Sequence, residues 1–507
     1  MGAIIAHETG DRCVHLPMYP ASETGKLRRS AAFHDLSLTV VQDKHFQMIN
    51  RRLFLQTLAV AAASPVTGVR QSVAEGAAGF GKLIADPAGV IDLPKGFSYS
   101  VVAQKGQDMD DGLLVPGLAD GMAAFAGEDN TIILVCNHEL HPYELSASAF
   151  GRRGQRYKRA DRSRIYDRGA DSSPGLGGTT TIHYDPVNRR RTHMHMSLMG
   201  TENNCAGGPT PWGSWLSCEE CFYDPGTSFE SARVIGRDQK HGYVFEVPAA
   251  SGQAVEPVPL KDMGRFEHEA TAVDPASGVV YLTEDRHQSL LYRFIPNKAG
   301  ELQRGGRLQA LAIKGQPQFD TRNWVQADGM LPRTWLETTW VDLEEPDVSE
   351  NDLRFRGREK GATIFARGEG ICYADGDIVM AATIGGRQRL GQIFAYRPSP
   401  AEGTPAEKSN PGKLSLFAES TQDSILRHAD NLILSPWGDL ILCEDTATHC
   451  GLVGIRPDGQ QYALADNAYT RSELAGICFS PDGKVMFVNI QVNGTTLAIT
   501  GPWSTKA

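Results

Sequence analysis

Short apolar runs rich in Val, Ile, Leu, Phe and Tyr, bounded by Asp, Asn, Gly and Pro, follow one another along the chain after residue 85. Runs of this length and punctuation predict β-strands joined by tight turns. Many come in pairs, and the best two pairs are close copies. Pro211-Trp212-Gly213-Ser214-Trp215-Leu216-Ser217-Cys218-Glu219-Glu220 matches Pro436-Trp437-Gly438-Asp439-Leu440-Ile441-Leu442-Cys443-Glu444-Asp445. An internal strand-turn-strand repeat is therefore present.

Each repeat continues with a third run (179–184, 242–247, 290–295, 392–397, 452–456 and 495–500) and a fourth beginning near Arg191, Ala254, Arg307, Lys413 and Gln460. First strands near Met122, Cys205, Glu269, Gly370, Asn431 and Gly476 then give six four-stranded units. The sixth ends after its third strand, and the run 97–104 is placed to supply the fourth. The expectation is an all-β, six-bladed β-propeller whose ring an N-terminal strand closes, which leaves no sheet edge exposed. A single propeller domain would span 85–507, with insertions at about 139–178, 219–240 and 315–366 covering one face.

Four side chains able to bind metal recur six residues ahead of a turn: Cys205 before Pro211, Glu269 before Pro275, Glu369 before Asp375 and Asp430 before Pro436. In a propeller these positions start the innermost strands and line one rim of the channel. One such acid reads as a solvated turn residue, whereas four aligned repeats predict a metal cluster. A thiol among carboxylates points to a transition metal, and the surrounding oxygens suit calcium. The acids ending the second strands, Glu219, Glu220, Glu284, Asp285, Glu444 and Asp445, are expected at the other end of each hairpin. Glu219, Glu220 and Glu139 join the candidate metal ligands. Arg367, two residues before Glu369, is the candidate phosphate clamp, because its forked donors match two phosphate oxygens. A salt bridge to a neighbouring carboxylate is the competing reading. Asn137, in Asn137-His138-Glu139, is the second candidate catalytic residue.

Composition narrows the field further. A formal charge of −10 argues against nucleic acid as the main partner. The basic stretch Arg152 to Arg168 reads as a solvated insertion loop. Nine cysteines scattered over 507 residues do not make a disulfide framework, and Cys136, Cys372, Cys443 and Cys478 fall in apolar runs as core residues. Cys218-Glu219-Glu220-Cys221 lacks a second pair or neighbouring histidines for a zinc site. His193 and His195 belong to an outer strand, and His268-Glu269 lacks the second histidine of a zinc protease.

Asn50-Arg51-Arg52-Leu53-Phe54-Leu55-Gln56 and the small, apolar stretch after it, 57–63, form a twin-arginine export signal within 48–80. That stretch is too short to span a membrane. Residues 1–47, ahead of Met48, read as an over-extended start or a disordered segment. The mature protein is expected in the periplasm or secreted, with the twin-arginine machinery as a partner.

The block Gly200-Thr201-Glu202-Asn203-Asn204-Cys205-Ala206-Gly207-Gly208-Pro209-Thr210-Pro211-Trp212-Gly213, with Ser217-Cys218-Glu219-Glu220, His268-Glu269-Ala270, Arg367-Gly368-Glu369-Gly370 and the Asp430 repeat, resembles the PhoX-type alkaline phosphatases from about residue 95 to 495. The resemblance implies a six-bladed propeller, a pair of ferric ions, additional calcium and hydrolysis of small phosphate monoesters. It implies metal-ligand roles for Cys205, Glu269, Glu369, Asp430 and Glu220, with Arg367 on the phosphate. The rivals are a calcium-dependent lactonase or phosphodiesterase-like propeller and a non-enzymatic calcium-binding module. Cys205 counts against the first, and fold alone does not separate the second.

The export signal carries its own test. Replacing Arg51 and Arg52 together by Lys should leave the protein inside the cell, so normal activity in a periplasmic fraction of that variant would remove the signal assignment.

Overall fold

The computed structural model describes residues 79–229, 236–325 and 329–503. The export segment at 48–80 and the stretch 1–47 lie outside these, apart from residues 79 and 80. The described part is almost wholly β and propeller-like. Two of its sheets are four-stranded antiparallel: Ala119–Ala126, Ile132–His138, Gly177–Asp185 and Arg190–Thr201 in one, and Leu474–Phe479, Val485–Ile490, Thr495–Thr500 and Ser98–Gln104 in the other. In the second, the strand from the start of the chain pairs with the last one, Ser98 opposite Thr500 and Gln104 opposite Thr495. Aromatic packing reinforces that join, with Phe97 4.6 Å from Trp503 and Trp503 stacked 5.2 Å from Trp437.

The first strands of successive units, Ala119–Ala126, Asn204–Pro209, His268–Val273, Gly368–Ala374, Ala429–Leu434 and Leu474–Phe479, neighbour one another in that order, and the last returns to the first. Turn chemistry sets the hairpins. Asp375-Gly376 joins Ala374 to its partner Asp377 with φ of 49° and 97°, the two left-handed residues that an Asp-Gly hairpin supplies. Core side chains such as Leu134, Ile182, Tyr184 and Phe487 fill the space between adjacent sheets.

Two expectations need correction. No fourth strand forms near Ala254. Pro257 and Pro259 lack the N–H groups a ladder needs, so Leu260 alone donates, to Val244, and that sheet has three strands. The segment 315–366 is more than a cover. Its strand Trp335–Leu343 pairs with Gly306–Ile313 on one side and Lys413–Glu419 on the other, fusing two units into a nine-stranded sheet. The Arg-rich insertion is pinned at two points, Arg156 donating to Asp108 and Arg164 to the Ala254 carbonyl, while Arg162 pairs with Asp171 within it.

The first strands approach so closely at their starts that small residues are obligatory. A Cβ on Gly121 would stand 2.5 Å from Ala206 Cα, and one on Gly370 would stand 2.7 Å from Asn431 Cα. Gly121→Val should therefore destabilise the fold by about 1–3 kcal/mol, read as a lower denaturation midpoint. An unchanged midpoint would mean the strands can part at no cost.

Candidate metal centre

All six first strands carry a β-bulge at the same register. Asp120 and Gly121 together oppose Asn137; Cys205 and Ala206 oppose Cys218; Glu269 and Ala270 oppose Thr283. The series continues with Glu369 and Gly370 opposing Ala381, Asp430 and Asn431 opposing Cys443, and Gly476 and Ile477 opposing Val488. A bulge re-aims one side chain at the cost of one ladder position. The first bulged residue is a ligand type in five of the six: Asp120, Cys205, Glu269, Glu369 and Asp430. The sixth is Gly476, at φ 62°, where a Cβ would lie 2.1 Å from the Asp120 carbonyl oxygen. No side chain fits there.

Antiparallel pairing corrects the expected position of the second-strand acids. Asn204 lies opposite Glu219, His268 opposite Glu284 and Ala429 opposite Glu444, so those acids stand at the same end as the bulges. Ligand atoms then form four overlapping groups, each within 4.8 Å: Asp120, Glu139 and Cys205; Cys205, Glu220 and Glu269; Glu269, Glu369 and Asp430; Asp430, Asp445 and Glu473. Six of the seven predicted metal ligands, Cys205, Glu220, Glu269, Glu369, Asp430 and Glu139, fall in this string. Asp120, Asp445 and Glu473 are additions. Asp120 stands six residues ahead of Ala126, next to the Gly127 turn, so the spacing rule reaches it once the strand is allowed to run longer. Glu473 precedes its strand and has no such signal.

Glu219 goes elsewhere. Consecutive strand residues face opposite ways, and its carboxylate accepts from Glu202 N, Gly242 N and Tyr243 N and pairs with His241 Nδ1 at 2.6 Å. His241 Nε2 reaches Asp167 at 3.0 Å, and Arg237 pairs with Glu202 at 2.6 Å. Cys221 lies against Glu219 and His241, so a histidine does approach the Cys218/Cys221 pair in space. Both nitrogens of His241 are already hydrogen-bonded there.

The string repels itself. Burial, then Glu369, Glu220, Asp430 and Asp285, pushes Glu269 well above the ordinary carboxylate range. Burial, then Asp285, does the same to Glu369 against the opposing pull of Arg367. The Cys205 thiol is pushed well up by burial and then by Asp120 and Glu269. Cys205 Sγ sits 3.2 Å from Glu269 Oε1, and Glu269 Oε2, buried, has no hydrogen-bond partner. A cation reverses each of these shifts, and a donor set of one sulfur and many carboxylate oxygens fits metal ions.

Arg367, at φ 56°, holds Asp285 bidentately at 2.6 and 2.8 Å and reaches Glu369 Oε1 at 3.0 Å, with a quarter of its side chain exposed. Asn137 is fully buried. Its Nδ2 donates to the carbonyls of Cys205 and Ala206 at 3.2 and 2.7 Å, while its Oδ1 accepts from Trp215 and Ser217. It is a positioning residue for the Cys205 bulge. Gln491 donates to both Asp120 and Glu139 from the sheet whose first-strand bulge carries no side chain. His195 bonds the Ser251 carbonyl and His268 the Gly264 carbonyl, both away from the string.

The family model described as alkaline phosphatase PhoX matches residues 78–494. No curated protein matches the chain. Among solved structures, PhoX of Pseudomonas fluorescens in complex with vanadate, a transition-state analogue, is similar at 19% identity over 81% of this chain and 96% of that one, with a TM-score of 0.60. That likeness shows the fold. A gluconolactonase from Xanthomonas campestris (12% identity, 80% and 98% covered) and a luciferin-regenerating enzyme (9%, 80% and 98%) give TM-scores of only 0.33 and 0.38.

The buried His241 cluster predicts a pH dependence. Burial lowers the imidazole's pKa, but Glu219 and Asp167 outweigh it and raise His241 from 6.5 to about 9. A group raised on folding stabilises fully below its unfolded pKa, and that contribution, at most on the order of 3 kcal/mol, is lost as pH rises through about 9. The stability gap between wild type and His241→Gln should therefore shrink from pH 6 to pH 9.5 in denaturant titrations. A constant gap would show that His241 is not charged in the fold.

Proposed function

The chain belongs to the PhoX alkaline phosphatase family, and from that premise we propose an exported phosphatase that hydrolyses phosphate monoesters at a metal cluster on the rim of a six-bladed propeller closed by its N-terminal strand. The ring order of the six first strands supports the blade count, and the pairing of Ser98–Gln104 with Thr495–Thr500 supports the closure. The observation that carries the chemistry is the register-matched set of bulges, which brings one thiol and four carboxylates to one end of the channel. The family is metal-dependent, and soft sulfur beside hard oxygens supports an iron pair together with calcium. The vanadate held by the Pseudomonas relative supports phosphoryl transfer. The twin-arginine motif supports export to the periplasm or beyond.

In this reading Cys205, Glu220, Glu269, Glu369 and Asp430 hold the central ions, and Asp120, Glu139, Asp445 and Glu473 hold flanking hard cations. When bound, the ions supply Lewis-acid polarisation of the phosphoryl oxygens and lower the pKa of the attacking water. The protein's own part is to orient and neutralise. Asp285 fixes the Arg367 guanidinium over Glu369, where its fork takes two phosphoryl oxygens and stabilises the charge that spreads over them in the transition state. Asn137 keeps the Cys205 bulge in register, so the sulfur stays aimed at the ions. Gln491 holds the Asp120 and Glu139 carboxylates together.

Losing one preorganised donor to developing charge costs about 3 kcal/mol, or roughly a hundredfold in rate. Arg367→Ala should lose on the order of a hundredfold in kcat/KM for an aryl phosphate while elemental analysis finds its iron and calcium retained, and Lys should recover only part. Near-normal kinetics with full metal content would remove Arg367 from the role. Wild type that carries its metals and cleaves no monoester would remove the phosphatase assignment.

A further inference from the structure

Beside Arg367 the rim changes sign from acidic to basic. The Arg367 N–H donates to the Arg286 carbonyl, and the Arg367 carbonyl accepts from Thr383 N at 3.0 Å. Thr383 opens the loop 383–391, whose second residue, Ile384, accepts from Trp324 Nε1 at 2.9 Å. The Trp324 ring carries two guanidinium groups, Arg322 at 4.4 Å and Arg389 at 4.5 Å from its centroid, and the His287 ring meets it edge-on at 6.2 Å. Arg322 is anchored: Asp320 binds it at 2.7 and 2.9 Å, and its Nη1 donates to the His287 carbonyl. Arg389 differs. It is exposed, its backbone is fixed at φ 55°, and among the described residues no carboxylate forms an ion pair with it.

We propose that Arg389, backed by Trp324 and Arg322, forms a subsite next to Arg367 for a second negative charge carried on the leaving group. The favoured substrates are then monoesters whose leaving group is itself anionic, bearing a carboxylate or a further phosphate. This rests on the phosphatase reading and adds the substrate class. A cation resting on an aromatic face keeps its N–H groups in a fixed plane, so its forked donors are presented without a large ordering cost. Trp324 is in turn fixed by its bond to Ile384, which places the stack on the same loop that touches Arg367. The ordinary alternative is a solvated stack that only stiffens the loop. It predicts no effect on substrate preference.

Phenyl phosphate and 4-carboxyphenyl phosphate separate the two, because they share a ring and differ by one distant charge. Metal-loaded wild type should prefer the carboxylated ester. Arg389→Ala should lower the ratio of kcat/KM values, carboxylated over plain, on the order of fivefold, the scale of one exposed charge-assisted contact. Arg389→Glu should lower it further, and added salt should erode the wild-type preference. Circular dichroism of each variant checks that the fold is intact, and the Glu variant decides if Ala does not fold. A ratio unchanged in a folded, active variant would overturn the subsite and leave the phosphatase reading standing. Wild type that cleaves both esters equally would do the same. Failure to cleave either ester would remove the phosphatase reading and the subsite with it.

Discussion

The mutual repulsion of acids packed around one end of a narrow ring governs the rest of this molecule. Asp120, Glu139, Cys205, Glu269 and Glu369 are all buried, and each lies within 4.8 Å of at least two other ligand-type groups. Desolvated carboxylates at such spacing cannot all be charged unless cations lie among them. The fold nonetheless brings them together, because in four of the six first strands a small residue, Gly121, Ala206, Ala270 or Gly370, fills the second bulge position and lets neighbouring strands approach closely. Below this level the channel turns apolar, with about 400 Å³ lined by residues such as Met122, Ile371, Leu432 and Phe479. The clustered carboxylates are thus concentrated at one end of the channel. Binding of cations there, as proposed, would be coupled to proton release from Glu269, Glu369 and Cys205.

The repeat made much of this legible before any coordinates. A ligand type six residues before a turn is what a bulge at the second position of a short strand produces, and four of the five ligand-bearing bulges obey it. Asp120 escaped because its strand runs on to Ala126 and its turn is built from Gly127 and two left-handed residues, Asp129 and Asn130, without a proline mark. Glu219 and Glu220 show a different limit. Adjacent acids look equivalent in a string of letters, yet the pleat sends one to His241 and the other to Cys205 and Glu269. The second-strand acids stand beside the bulges and not at the far end of the hairpin, because antiparallel strands bring the end of one beside the start of the other. The contact between Arg367 and Asp285 joins two different repeat units across 82 residues of sequence, and no local spacing encodes it.

Asn137 illustrates how a polar residue at a rim motif can be essential without facing solvent. All of its hydrogen-bonding capacity is used within the protein, two acceptors on one side and two donors on the other, so nothing remains for a substrate. Thr283 and Asn489 occupy similar places. Thr283 donates to the Glu369 carbonyl at 2.6 Å, and Asn489 donates to the Asp120 carbonyl at 2.7 Å. The bulges are therefore latched from the preceding unit of the ring, and the side chains they carry are aimed by neighbours rather than by their own strands. Such positions combine full burial with a hydrogen-bonding side chain in an otherwise apolar run, a pattern visible in a sequence only when the repeat is already aligned.

The pairing of Arg367 with Asp285 and Glu369 does not compete with a role on phosphate; it depends on the same charge balance. With the carboxylates unneutralised, the guanidinium is one of the few positive charges within reach, and Glu369 draws it down. In the proposed reading, Glu269, Glu369 and Asp430 would hold cations that supply that neutralisation, and the attraction between Glu369 and Arg367 would weaken. Asp285, half-buried at the edge of the string, continues to hold the other side of the fork. In that reading Arg367 would stay oriented by Asp285 while its remaining donors could turn to a phosphoryl group. On this proposal one residue would serve two charge states of the same site, with the carboxylates bare or neutralised by cations.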